Sequence, residues 1–279
     1  MNTRSKSTVD LHLHTTSSDG TFSPSELVYY AKKIGLKTIA VTDHDTVSGI
    51  DEAFETASET GIELIPGIEM GTDAGGTDIH ILGYFIDYKN AWYVDYLDEL
   101  KSLRLVRAKE MIKRLNNIGI HITLDEVLDV SKGGVLIRSH IAKVIVSKGY
   151  ARNIKDVFDT YLGRDKPCYV QKYNYSSHDV ISAILRTGGI PVLAHPSISN
   201  ADDHIPELVE NGIQGIEAYC YDNNKASTEK YLRIADEYGL IVTGGSDDHG
   251  PHTPGRFLIG HVDVPDTILE PLKSLATHR

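Results

Sequence analysis

The chain of 279 residues contains only two cysteines and no long apolar run. Cys168 and Cys220 lie far apart and outside any C-x-x-C pattern, so neither a disulfide framework nor a thiolate metal site is indicated. No segment approaches the roughly 18 apolar residues that a membrane-spanning helix needs, and residues 1–8 lack the apolar stretch of an export signal. We therefore expect a cytoplasmic protein that is neither exported nor embedded in a membrane.

Positive charge is also scarce. Lys and Arg number 28 against 39 Asp and Glu, which gives a formal net charge of -11 at pH 7. This balance disfavours tight binding to long nucleic acids and to anionic membranes. The sequence has no Pro- or Gly-rich linker, low-complexity tract or internal repeat either, so no boundary between independent domains is apparent.

Short β-type runs alternate with helical patterns in the first and last thirds of the chain. Such alternation is typical of βαβ units in a parallel sheet or barrel. In between, helical spacing continues from about Ala91 to Asn117, and three shorter helical patterns follow. The sequence thus predicts an α/β barrel interrupted by an all-helical insertion that packs over it as a cap. The predicted ranges are 1–88 and 166–279 for the barrel and 89–165 for the insertion.

Potential metal ligands occur at the predicted strand ends. In Asp10-Leu11-His12-Leu13-His14 the histidines alternate with leucines, so both rings leave the same face of the strand and can hold one cation. By itself, H-x-H is equally compatible with solvated histidines on an edge strand. Further candidates are predicted at the carboxyl ends of later strands, where catalytic groups of parallel α/β folds collect: His44, Glu69, His80, His195, Asp247 and His249.

The motifs D-x-H-x-H, S-D-G, T-D-H-D, G-x-E, H-x-L-G-Y, A-H-P and S-D-x-H together resemble the polymerase and histidinol phosphatase (PHP) superfamily, in particular its small stand-alone phosphoesterases. The resemblance spans Asp10 to His249 and is weaker across the insertion. It implies a distorted (β/α)7 barrel with two to three divalent cations. The implied ligands are His12, His14, Glu69 and Asp247 for the first metal, Glu69, His80 and His195 for the second, and Asp19, His44 and His249 for the third.

The resemblance also bears on metal identity and mechanism. Some family members carry histidine at the position of Asp19, and an oxygen donor there favours Mn²⁺, or Fe²⁺, over Zn²⁺. The hypothesis is in-line attack on phosphorus by a hydroxide that bridges two cations. The predicted catalytic residues are Glu69 as the bridging ligand, with Asp247 and His195 as candidate proton carriers. The neighbouring aspartates either orient an imidazole or cap a loop: Asp10, Asp43 and Asp45.

Phosphate recognition calls for Arg or Lys near the metals. Arg138-Ser139-His140-Ile141-Ala142 and Lys166-Pro167-Cys168-Tyr169-Val170 resemble segments with which the stand-alone phosphoesterases contact substrate phosphate. Arg138, His140 and Lys166 are therefore the predicted substrate residues, although a helix N-terminus and a solvated lysine would also explain them. Other basic residues without such support are interpreted as surface charge: Arg164, Lys172 and His178.

A cap with extra cations favours a small substrate that carries a second phosphate. The best prediction is hydrolysis of the 3'-phosphate of nucleoside 3',5'-bisphosphates. Cyclic sugar phosphate hydrolysis, histidinol-phosphate hydrolysis and 5'-3' exonuclease cleavage of short RNA stay open as alternatives. The oligomeric state is not predicted.

Two rival classes are weighed against a phosphoesterase. An amidohydrolase or deaminase also begins with H-x-H on a first barrel strand, but commonly bridges its metals with a modified lysine where this chain has Glu69. A non-catalytic PHP module that serves protein contacts would be marked by the loss of ligands. In this chain all nine ligand positions carry a plausible ligand.

Overall fold

The computed structural model describes residues 7–74, 77–171, 175–251 and 257–277. Within these residues, one sheet contains seven strands in sequence order. The backbone N–H of Leu11 donates to the carbonyl of Gly244 at 3.1 Å, and Leu13 forms a parallel bridge with Asp248, so the first and last strands meet and nearly close the barrel. The strands are β1 Val9–Asp10, β2 Thr38–Val41, β3 Glu63–Ala74, β4 Thr77–Tyr84, β5 Ile190–Leu193, β6 Gly215–Cys220 and β7 Ile241–Gly245.

The strand directions depart from a regular β/α repeat at one place. β1, β2 and β3 are parallel, as are β5, β6 and β7, whereas β4 runs antiparallel to both of its neighbours. β3 and β4 form a long hairpin paired from Gly67 with Tyr84 to Ala74 with Thr77, and a tight connection suffices for such a pair. The sequence-based placement of Glu69 and His80 at strand ends is therefore wrong, because both lie inside this hairpin.

Helices cover the barrel and fill the segment between β4 and β5. Ser23 and Thr123 begin two of them with reciprocal capping boxes, in which Glu26 and Glu126 accept the N-cap N–H groups. Among the described helices, none combines the length and the apolar character that crossing a membrane requires. The α-helices are α1 Pro24–Ile34, α2 Ile50–Thr60, α3 Ala91–Asn117, α4 Leu124–Ser131, α5 Arg138–Ser147, α6 Ile154–Val157 with a π-helical turn Phe158–Leu162, α7 Ser177–Arg186, α8 Pro196–Ser199, α9 Ile205–Glu210, α10 Lys225–Tyr238 and α11 Leu269–Thr277.

The segment between β4 and β5 has an apolar core of its own. Residues from Ala108 to Cys168 form one buried cluster, separate from the clusters that the strands build. α3 contributes to both, because Tyr93 and Leu97 pack into the barrel while Met111 packs into the cap. The insertion boundaries at 89 and 165 stay a prediction, and the cap core extends to Cys168.

Glycine is required where β7 passes under the first predicted ligand. A Cβ on Gly245 would lie 2.4 Å from both the backbone nitrogen and the Cβ of His12. Gly245→Ala should push the His12 segment outward and cost about 1–3 kcal/mol, which corresponds to roughly 3–10 °C in Tm. Calorimetry together with metal analysis of the purified variant checks this. A Tm and a metal content equal to wild type would show that the contact is not restrictive.

Candidate metal centre

Six histidines and three carboxylates converge at the end of the barrel under the cap. Glu69 is fully buried at the centre of this group. Its Oε2 atom lies 3.2 Å from the Nε2 atoms of His12 and His14 and 3.1 Å from Nδ1 of His44, and its Oε1 atom lies 2.7 Å from Nδ1 of His80 and 2.9 Å from Nε2 of His195.

The remaining predicted ligands surround this centre. Asp247 Oδ1 lies 3.0 Å from Nε2 of His14 and 3.3 Å from Nε2 of His12. His249 bridges two carboxylates, with its Nε2 atom 3.2 Å from Oδ1 of Asp19 and its Nδ1 atom 3.5 Å from Oδ1 of Asp247. All nine predicted metal ligands are thus brought together.

The distances between the donor atoms match those between ligand atoms around a single cation. Ligand atoms held at right angles by a cation at about 2.1 Å lie about 3.0 Å apart, close to the contacts described here. Three buried donor atoms that face the cluster also lack a hydrogen-bond partner within the described part of the chain: His12 Nε2, Asp19 Oδ1 and Glu69 Oε2. Because buried polar atoms are rarely left unpaired, this donor set fits divalent cations.

Eight of the nine predicted ligands, all except His195, fall into three groups in which the ligand atoms lie within 4.8 Å of one another. One group is the set of four residues that the family resemblance implies for the first metal. The second contains His44 where the resemblance implies His195, and the third adds His14 to the implied residues. The groups are His12, His14, Glu69 and Asp247; His44, Glu69 and His80; and His14, Asp19, His44 and His249.

Burial and charge act in opposite directions on these groups. Burial raises the pKa of the Glu69 carboxyl, but the imidazoles of His44 and His12 outweigh it and hold that pKa well below its ordinary value. Burial lowers the pKa of His12, but the carboxylates of Glu217 and Asp247 raise it well above the usual range. The carboxylates and the His12 imidazole thus stabilise each other's charged forms, whereas burial holds the pKa of His44 well below its usual range.

Two ligand positions have an uncommon backbone. His195 and Asp247 have positive φ angles of 26° and 52°. Such conformations cost about 1 kcal/mol or more for a non-glycine residue and concentrate at functional sites. The turn after β5 places His195 against Glu69, and the turn after β7 places Asp247 against His12 and His14.

The three flanking aspartates cap loops or pair with arginine. Asp43 accepts hydrogen bonds from the backbone N–H of Thr15 at 2.7 Å and from the hydroxyls of Thr15 and Ser18. Asp10 accepts from the N–H groups of Ser246 and Gly260. The third, Asp45, forms an ion pair with Arg104.

The carboxylate that orients an imidazole is Glu217, which the sequence analysis missed. Its Oε1 atom lies 3.1 Å from Nδ1 of His12, and its Oε2 atom accepts the backbone N–H of His195 at 2.8 Å. Both atoms are fully buried on β6. A lone glutamate in the apolar run Gly215-Ile216-Glu217-Ala218-Tyr219 was the available signal.

The predicted substrate residues lie in different surroundings. Arg138 faces the site, where it pairs with Asp78 at 2.6 Å and lines two cavities next to His80. His140 is buried at the start of α5, where burial lowers its pKa to about 4. Lys166 is exposed and does not line the cavities described here.

Other basic residues approach the centre instead. Arg104 and Arg107 of α3 and Lys143 of α5 line cavities beside the ligands, and the sequence analysis did not single them out. Arg164 is exposed, as its interpretation as surface charge implies, and it also lines the cavity that Arg138 lines. The exposed His178 fits that interpretation, whereas Lys172 lies outside the described residues.

A cavity of about 930 Å³ opens directly over the cluster. The three predicted catalytic residues, Glu69, His195 and Asp247, all line it. Lys143 adds a cation to the wall, and its ammonium donates to the backbone carbonyl of Asp19 at 2.9 Å. Apolar and aromatic side chains complete the wall: Ile154, Phe158, Ile198, Tyr221 and Leu258.

Comparison with known proteins agrees with this geometry. The profile of the PHP domain matches residues 10–164. The chain is 36% identical to a 5'-3' exoribonuclease of Haemophilus influenzae over 87% of this chain and 90% of that protein. It is 31% identical to a 3',5'-nucleoside bisphosphate phosphatase of Chromobacterium violaceum, with 95% and 94% covered. A solved metal-dependent phosphoesterase of Bifidobacterium adolescentis superposes with a TM-score of 0.86 at 32% identity, with 96% of each chain covered.

The barrel and its buried ligand cluster define a metal-dependent phosphoesterase. More particularly, the chain belongs to the PHP domain family, since the profile match covers 155 of 279 residues and close relatives align over nearly the whole length. It is a hydrolase that acts on phosphate esters.

Glu217→Gln tests how the centre is held in place. The variant replaces the carboxylate that accepts from His12 Nδ1 and His195 N–H, and loss of such an orienting partner typically weakens metal affinity about 10- to 100-fold. Titration of the metal-free protein with Mn²⁺ measures this. Glu207→Gln, on the exposed side of α9, is the matched control and should bind Mn²⁺ as wild type does. Equal affinities in both variants would remove Glu217 from this role.

Proposed function

We propose that the nine clustered residues hold two to three divalent cations and that the enzyme removes the 3'-phosphate from nucleoside 3',5'-bisphosphates. The observation that carries the metal assignment is the buried carboxylate of Glu69, surrounded by five imidazole nitrogens at 2.7–3.2 Å. Glu69 would be a ligand shared by these cations, since its two oxygens face different imidazoles. Mn²⁺ is the preferred cation, because the donor set has oxygens and imidazoles but no thiolates.

The chemistry follows from what surrounds the cavity. Bound cations would neutralise phosphate oxygens and lower the pKa of a water molecule. Lys143 adds positive charge to the cavity wall. Asp247 and His195 are the proposed proton carriers to the leaving oxygen, because both line the cavity. The cap and the apolar wall exclude bulk water from one side, which strengthens each of these electrostatic contacts.

A nucleotide substrate is supported by the walls of the site. Tyr221 is 41% exposed and lines the cavity, so it offers an aromatic ring on which a base can stack. Phe158 lines the same cavity, with the Arg138 guanidinium 5.4 Å from its ring centre. Arg138 lies between the two cavities that adjoin His80 and offers a guanidinium to a phosphate. The bisphosphate phosphatase of Chromobacterium violaceum aligns over nearly the full length of both chains, which favours the same substrate.

Short RNA is the second candidate. The cavity of about 930 Å³ lies at the upper end of the range of about 300–1,000 Å³ usual for small-molecule sites, so it has room for more than one nucleotide. The relative from Haemophilus influenzae is named an exoribonuclease. The net charge of -11 argues against tight binding of a long polymer, which stays our prediction.

Metal analysis tests the proposed centre. Purified protein should carry two to three transition-metal ions per chain, and chelation should abolish hydrolysis until Mn²⁺ is added back. Glu69→Gln should lower both the ion content and kcat by orders of magnitude, because it removes the charge shared by the ligand groups. Less than one ion per chain in active protein, or a Glu69→Gln variant with full ion content and less than about a tenfold loss in kcat, contradicts the proposal.

A comparison of substrates tests the reaction. We expect the highest kcat/KM for adenosine 3',5'-bisphosphate, ahead of a 5'-phosphorylated oligoribonucleotide, a cyclic ribose phosphate and histidinol phosphate. Arg138→Ala should raise KM for the bisphosphate about 10- to 100-fold, whereas the exposed Lys166→Ala should change it less than threefold. A preference for the oligoribonucleotide would select the second candidate. Deamination of adenosine without phosphate release would overturn the reaction class.

A further inference from the structure

The cap contacts the loop that carries one of the proposed metal ligands. This loop, residues 15–20, directly follows the first two histidine ligands and contains Asp19. Ser139, in the first turn of α5, donates from its hydroxyl to Oδ2 of Asp19 at 2.7 Å. Lys143, one turn further along α5, donates to the backbone carbonyl of Asp19 at 2.9 Å. Both the carboxylate and the backbone of Asp19 are thus held from the cap.

The segment before α5 packs closely against the same loop. The backbone N–H of Val135 donates to the carbonyl of Ser17 at 3.1 Å. A Cβ on Gly134 would lie 2.7 Å from that carbonyl oxygen and 2.9 Å from the carbonyl oxygen of Thr16. The two backbones can therefore approach this closely only because residue 134 is glycine.

His140 also contacts this loop. Its side chain is buried and does not line the three cavities that adjoin the proposed ligands. Burial lowers its pKa to about 4, and a hydrogen bond with the backbone of Ser18 opposes that effect. These surroundings favour a role in holding the loop over the predicted contact with substrate.

The two carboxylate oxygens of Asp19 have different surroundings. Oδ2 accepts from Ser139, whereas Oδ1 lies 3.2 Å from Nε2 of His249 and has no hydrogen-bond partner among the described residues. Oδ1 is therefore available to the cation that Asp19, His44 and His249 would hold. Carboxylates that bind metals are commonly oriented by a hydrogen bond of this kind from a neighbouring donor.

We propose that Ser139 is a positioning residue of the metal centre, because its hydroxyl fixes the Asp19 carboxylate towards this cation. The inference rests on the metal assignment of the proposed function. The hydrogen bonds described for the other proposed ligands come from barrel residues, such as Glu217 for His12 and His195. Binding of one cation thus depends on the cap, whereas the cations around Glu69 depend on the barrel.

The competing explanation is that Ser139 binds a phosphate of the substrate. Ser139 lines two of the cavities beside the ligands, and it lies in the segment 138–142 that resembles phosphate-contacting segments of the family. A phosphate contact alone would raise KM and leave the binding of Mn²⁺ to the substrate-free protein unchanged. A hydroxyl that orients Asp19 acts before any substrate arrives, so the two roles differ in what they change.

The first test measures cation binding without substrate. Metal-free protein, prepared with chelator, is titrated with Mn²⁺, and the unbound ion is followed by electron paramagnetic resonance. Ser139→Ala should weaken one cation site about 10- to 100-fold and leave the others unchanged, whereas Ser139→Thr keeps the hydroxyl and should restore binding. Ser147→Ala is the matched control and should bind as wild type does, because that hydroxyl lies on the same helix and donates to the carbonyl of Val144 within it.

Several results would overturn the positioning role. These are equal Mn²⁺ binding by Ser139→Ala and wild type, equal losses in Ser139→Ala and Ser139→Thr, or a raised KM for adenosine 3',5'-bisphosphate in a Ser139→Ala variant with unchanged affinity for Mn²⁺. The last of these would assign Ser139 to the substrate.

The second test is a double-mutant cycle with the ligand itself. Asp19→Ala should weaken the same cation site, and adding Ser139→Ala should cause no further loss, because the hydroxyl then has no carboxylate to orient. Additive losses would place the effect of Ser139 elsewhere and overturn the inference. Wild-type protein that binds no Mn²⁺ would contradict the proposed metal centre, whereas Mn²⁺ sites that are insensitive to Asp19→Ala would contradict only the role of Ser139.

Discussion

The carboxylate of Glu69 has no exposed surface, and a buried charge of this kind costs several kcal/mol unless its surroundings compensate it. Five imidazole nitrogens supply that compensation. They come from the loop after β1, the turn after β2, strand β4 and the turn after β5. Since these segments are distant in sequence, the centre exists only when the barrel is closed, and Glu217 links two of them from behind.

The antiparallel hairpin explains why Glu69 and His80 meet. His80 is paired with Gly71, two residues beyond Glu69, so both side chains project from the same face of β3 and β4. Gly71 has no side chain, and together with Arg104 and Arg107 it lines a small cavity of about 40 Å³. A strictly parallel repeat would bring only strand ends to the site, whereas the hairpin brings a mid-strand ligand within 2.7 Å of Glu69.

Local patterns made the element order and the ligand types predictable. Helix α3 follows from its continuous apolar spacing, and the barrel follows from the alternation of short apolar runs with helices. The direction of β4 did not follow, because an eight-residue alternating run reads the same in either orientation. The ligand cluster was predictable because His, Asp and Glu interrupt apolar runs. The position of Arg107 beside the ligands was not predictable, because it depends on how α3 crosses the end of the barrel. One arginine among the many charged residues of α3 does not indicate that crossing.

Helix α3 is a single rod of 27 residues, about 40 Å long at about 1.5 Å per residue. Its first turns are embedded in the barrel through Tyr93 and Leu97, its last turns in the cap through Met111, and Arg104 and Arg107 lie where it passes from one to the other. A tilt of about 5° about the barrel end would carry the far end through about 3.5 Å and the arginines through about half of that. Because one helix is embedded in both cores, any rocking of the cap against the barrel would change the width of the cavity that Arg104 and Arg107 line, while the ligands around Glu69 would keep their places in the barrel.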